Sequence, residues 1–135
     1  MGTKRLLVLS LALATACKPP TPAEHMDSAL SWIGTAGMAG DAWLRQTTPD
    51  TYARQTLELS HQNLRQISND LLESPPLGPD SAYLNTVLAR SRRRIARLAA
   101  LITAKDAPDF ARELDLLRAD QRIVKRLSDK IESEE

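Results

Sequence analysis

Residues 79–105 read PDSAYLNTVLARSRRRIARLAALITAK, and their spacing decides the fold. Leu84, Leu88, Ser91, Ile95, Leu98 and Ile102 stand alternately four and three residues apart, which places them on one helical face and the arginines off it. Upstream, Ala53, Leu57, Ser60, Leu64, Ile67 and Leu71 repeat the pattern. Downstream, Phe110, Leu114, Leu117, Gln121, Val124, Ser128 and Ile131 give a weaker version, with Leu116, Ile123 and Leu127 broadening the stripe. A sustained 3.5-residue period demands long helices lying nearly antiparallel, and the short connections favour consecutive helices as neighbours. The expected fold is therefore all-α, an up-down-up-down four-helix bundle.

The expected helices cover about residues 22–46, 49–73, 79–105 and 108–132. Thr48-Pro49-Asp50 and Gly78-Pro79-Asp80 place a proline in the first turn beside an acid, where the missing amide costs nothing and negative charge meets the positive dipole end. Asp106 and Pro108-Asp109 repeat that arrangement. Strand signals are nearly absent. The first helix differs in texture: Trp32 and Trp43 share a face with Ala36 and Gly40, while Met26, Ile33 and Leu44 lie alongside. Gly37 and Gly40 would allow a close approach to a neighbouring helix at roughly 1 kcal/mol each in helix propensity. If this helix breaks, it breaks near Gly37.

Ahead of the helices stands MGTKRLLVLSLALATAC, ending at Cys17, the single cysteine of the chain. Lys4 and Arg5 form a basic n-region, Leu6 to Leu13 an apolar stretch too short to span a bilayer, and Ala14-Thr15-Ala16 a small-residue approach to the cysteine. These residues resemble the export signal of bacterial lipoproteins. The resemblance covers the leader only, and Ala14 stands where that family usually has Leu. It implies cleavage before Cys17 and attachment of diacylglycerol to the Cys17 thiol, and Lys18 in place of Asp implies routing to the outer membrane, facing the periplasm, in a double-membraned bacterium. An ordinary secretory signal cut after Ala16 is the other reading of the same residues.

The expected organisation is a signal peptide over 1–16, a lipidated cysteine and proline-rich tether over 17–23, and the bundle over 24–135. Lys18-Pro19-Pro20-Thr21-Pro22 lacks hydrophobic residues, and its prolines favour extended, semi-rigid backbone. The whole chain carries 18 Lys and Arg against 17 Asp and Glu, and losing Lys4 and Arg5 would leave it close to neutral. That balance, with no aromatics interleaving the arginines, argues against nucleic acid as a partner. One cysteine permits no internal disulfide and no cysteine-based zinc site. Stability then has to come from packing in a single modest core.

Residues 81–105 hold six basic side chains and no acid, with Arg90, Arg93 and Arg97 at helical spacing and Arg92 and Arg94 flanking them. Neutralisation by the acidic second and fourth helices is one reading. An anionic partner (lipid headgroups, cell-wall polymer or an acidic protein patch) is the other. Trp32 and Trp43 are a candidate aromatic pocket, against the plainer expectation that they fill the core. Ser60, Ser91, Gln121 and Ser128 interrupt the apolar stripes and either bond to backbone or water, or mark a core that admits a partner helix.

Chemistry finds little footing. Glu58 and His61 superficially match one Glu-x-x-His half-site of a di-iron bundle, but no second copy exists and His25 is too far along the bundle to share a metal. There is no Cys-x-x-Cys-His for haem, and the glycines at 34, 37 and 40 lack the Lys-Ser or Lys-Thr of a phosphate-binding loop. Ser60 and His61 are adjacent on a helix and diverge by ~100°. No catalytic residue, metal or cofactor is expected. The expected role is a lipid-anchored cell-envelope protein that binds or scaffolds, held to the membrane through Cys17, with a periplasmic ligand-binding module for an anionic component or small molecule as the alternative.

Overall fold

The computed structural model describes residues 18–134; the leader and Cys17 lie outside the described residues. Thr21 starts the first helix with a reciprocal cap, its hydroxyl accepting from the Glu24 amide while the Glu24 carboxylate accepts from the Thr21 amide, both at 3.2 Å. The described chain forms four helices: α1 (Pro22–Leu44), α2 (Asp50–Glu73), α3 (Ser81–Ala104) and α4 (Ala107–Glu134). Pro49 is the residue before α2, and Pro79 lies two before α3, so both prolines stand just outside the turns expected to contain them. Gly78 takes φ +109 in the connection to α3, a region that only glycine enters without strain. Only Lys105 and Asp106 join α3 to α4, and the Asp106 carboxylate accepts from the Asp109 amide at 3.0 Å.

The helices pack as a closed ring in chain order: α1 on α2, α2 on α3, α3 on α4, and α4 back on α1. Two contacts establish the antiparallel course. The Trp43 indole at the end of α1 donates to Asp50 at the start of α2 (2.8 Å), and the Lys130 ammonium near the end of α4 donates to Asp80 beside the start of α3 (2.6 Å). The fold is the expected all-α, up-down-up-down four-helix bundle, and no described residue is in a strand.

Every stripe residue named for α2 and α3 is buried, including Ser60 and Ser91. The serines keep their place by donating to carbonyls one turn back, Ser60 to Thr56 at 2.8 Å and Ser91 to Val87 at 2.9 Å. In α1 the buried line is Met26, Ala29, Ile33, Ala36 and Gly40, large residues in its first half giving way to small ones toward its end, where α4 comes close to Gly40. A Cβ on Gly40 would stand 2.9 Å from Leu114 Cδ1 and 3.3 Å from Phe110 Cε1. Gly37 has nothing within 4 Å of its Cβ direction, so the close approach belongs to Gly40 alone, and α1 continues unbroken through both.

In α4 the interior position falls on Asp120, 2% exposed, while the expected Gln121 is half-buried beside α1. Leu116 does not broaden the stripe: it is exposed, whereas Ile123 and Leu127 pack against the core. A carboxylate displaces an amide from the interior because two arginines of α3 meet it there.

Candidate functional site

The α3 arginines divide between the two neighbouring helices. On the α4 side, Arg90 Nε and Nη2 donate to Asp120 Oδ1 at 3.0 and 2.6 Å, and Arg94 Nε donates to Asp120 Oδ2 at 2.9 Å. Arg94 and Arg97 then share Glu113, at 3.3 and 3.4 Å. The hydrogen bond to Asp120 pushes the Arg90 guanidinium above its usual range, so its charge is fixed at any physiological pH. Arg90 and Arg97 thus lean onto α4 and are balanced by it, while Arg93 is exposed and forms no ion pair among the described residues. The three do not form one free cationic face.

The α2 side of α3 is different. Arg54, Glu58, His61, Arg65 and Ser68 make a second line on α2, spaced four, three, four and three residues apart, flanking the core stripe. Opposite them on α3 run Arg92, Ala96, Ala99 and Thr103. Arg54 Nη1 donates to Thr103 Oγ1 at 3.2 Å, which fixes the antiparallel register and brings Arg65 level with Arg92. Between the lines lies a groove of about 410 Å³, floored by Ala96, Ala99 and Ala100 and rimmed by Arg54, Glu58 and His61.

None of Arg54, Arg65 and Arg92 forms an ion pair among the described residues. The Arg92 Nε is buried with no hydrogen-bond partner, and so is the Ser68 hydroxyl farther along the seam. Burial, then the charges of Arg92 and Arg65, hold the His61 imidazole below its ordinary value of 6.5. His61 is therefore neutral near pH 7, with one ring nitrogen able to donate and the other to accept. Among the described residues no three His, Cys, Asp or Glu side chains gather as metal ligands.

Trp32 and Trp43 do not share a pocket. They are eleven residues apart on one straight helix, ~16 Å along its axis. Trp32 is half-buried against the core. Trp43 tilts onto Phe110 with ring centroids 4.5 Å apart, closing the end of the bundle where α1 gives way to α2. A small hollow of about 350 Å³ opens beside Trp43, Asp50 and Lys105.

Along α1 and α4, two adjoining hollows of about 590 and 960 Å³ meet at Ser31, Gln121 and Arg122. Their charges are partly spent: Arg118 pairs with Asp41, and Lys125 with Asp129 at 2.7 Å.

The arrangement offers a seam whose cationic side chains lack counter-charges, and the sequence signals that seam only as a second four-three line beside the apolar stripe of α2. Compared with known proteins, the chain matches no family model, no curated protein and no solved structure.

Proposed function

We propose that this chain is a lipid-anchored protein of the bacterial cell envelope whose helical bundle works by binding or scaffolding and not by catalysis. The leader carries the reading: a basic start, a short apolar run and small residues ending at Cys17. The residues after Cys17 support it. Only Lys18, Pro19, Pro20 and Thr21 precede α1, an extended spacer of ~12 Å at ~3.1 Å per residue, so the capped start of the bundle would stand close over the membrane surface. No described helix is long and apolar enough to cross a membrane, so attachment would rest on the lipid. Lys18 directs the protein to the outer membrane, facing the periplasm, where the cell has one.

The test is expression of the full chain and of Cys17→Ala in a bacterium, followed by membrane fractionation and intact-mass analysis. The wild type is expected in the membrane fraction with an N-terminal cysteine heavier by a lipid. Cys17→Ala is expected to lose the added mass and leave the membrane fraction. A wild type that is cleaved, unmodified and soluble would replace the anchor with an ordinary secretory signal.

A second reading, a module for an anionic envelope component or small molecule, is supported by the unpaired arginines of the α2–α3 seam. The Arg90 and Arg97 surface named from the sequence supports it less, because Asp120 and Glu113 already occupy those side chains.

A further inference from the structure

The α2–α3 seam presents three guanidinium groups against one carboxylate, Glu58, and none of the three is paired. On the opposite flank of α3 Arg90, Arg94 and Arg97 are each paired with Asp120 or Glu113. The two flanks draw on one run of arginines, yet only one of them meets acids. A bare surplus of exposed charge would need no explanation. Here, however, the Arg92 Nε is taken out of water without a partner, and buried donors are almost always satisfied. Arg92 is only half-buried as a whole, so a turn of its side chain toward the groove would bring this Nε to an oxygen supplied from outside the chain.

The seam is also polarised along its length. Glu58 sits toward the Arg54 end, and Arg54 is already engaged with Thr103. The opposite end has Arg65 and Arg92 level with each other, with His61 one turn away and no acid on either line beyond Glu58. The Nε of an arginine and its neighbouring Nη donate in parallel to two oxygens of one phosphate or carboxylate, and the unsatisfied atom of Arg92 is that Nε. A neutral imidazole adds one N–H donor. Beyond this end runs the alanine-floored groove, wide enough for a small organic body, whose rim at Glu58 and Gln62 can accept or donate to polar substituents.

We propose that the α2–α3 seam binds a phosphate-headed molecule, its anionic group held by Arg92 and Arg65 with His61 beside it and its body lying in the groove toward Glu58 and Arg54. The site rests on reading the bundle as a binding module and is independent of the anchor at Cys17. The phosphate comes either from a free phosphorylated compound or from a phospholipid headgroup at the membrane surface. Both present the same oxygens to the same donors.

The experiment is nitrogen-15 NMR of the purified full chain in nonionic detergent, following the Arg92 Nε–H and His61 ring signals. Inorganic phosphate is titrated at constant ionic strength against chloride. In a parallel series the protein is placed in phosphatidylcholine bicelles with and without phosphatidylglycerol. Saturable movement of Arg92 and His61 is expected, with the His61 titration displaced upward once phosphate is bound. Affinity is expected to fall at least tenfold in Arg92→Gln and in Arg65→Gln, and to change less than twofold in Arg126→Gln on the far side of the bundle. Arg65 is exposed, so its variant tests the site even if Arg92→Gln folds poorly.

A response to phosphate identifies a free ligand, and a response confined to phosphatidylglycerol identifies a headgroup. No saturable response in either series, or equal weakening in Arg126→Gln, overturns the proposal. The Cys17 experiment reads attachment alone, so either result can fail without the other.

Discussion

Asp120 is the residue on which the interior of the bundle turns. It is 2% exposed and accepts from Arg90 and Arg94, whose far ends remain in contact with water. Asp120→Ala strands two guanidinium groups that can only partly resolvate, and it should cost about 2–3 kcal/mol, measured by urea unfolding. At His61 the sign of the pH effect follows from its surroundings: Glu58 and Arg65 on its own helix, Arg92 on α3, and burial as the largest influence. The folded state resists protonation that the unfolded chain accepts, so this contribution is whole above pH about 6.5 and declines as pH falls through that value. His61→Gln should therefore lose less stability than the wild type between pH 7.5 and 5.5. An identical slope in both proteins would remove His61 as its source. Neither residue is legible as such in the sequence. Asp120 sits next to the polar stripe position Gln121, and its partners lie on another helix, so only three-dimensional register selects the acid over the amide.

At the scale of the element, α1 is governed by what its small residues permit. Gly40 faces Leu114 and Phe110 at distances that leave no room for a methyl group, while Gly37 faces open space. Gly37→Ala should stabilise the protein by about 1 kcal/mol through helix propensity alone. Gly40→Ala gains the same propensity but must displace the buried Leu114, and a net loss of about 1–2 kcal/mol is expected, read from thermal or urea unfolding. Spacing pairs the two glycines, and the sequence cannot separate them because both lie near the buried line of α1. The stripes of α2 and α3, by contrast, are legible residue for residue, since six regularly spaced positions define a face without knowledge of its partner. Leu116 misleads for the opposite reason: in a stripe already broken by polar residues, one extra leucine does not locate the edge of the face. The basic seam is present in the sequence as the line of Arg54, Glu58, His61 and Arg65, but its meaning depends on Arg92 arriving opposite it.

Over the whole molecule, three of the four helix–helix seams join helices that are consecutive in the chain, and the fourth brings α1 back onto α4. Such a ring closes in an order. Consecutive hairpins close short loops and form early, whereas α1 and α4 must find each other across the length of the bundle, so the ring is expected to shut late in folding. Gly40 lies on that last seam. The destabilisation by Gly40→Ala should therefore appear almost entirely as faster unfolding, with the refolding rate nearly that of the wild type in stopped-flow measurements. A matching drop in the refolding rate would mean that α1 and α4 meet in the nucleus. Opened at that seam the bundle would be a zigzag of four helices still joined by their three hairpin seams, with α1 held only by α2 and α4 only by α3.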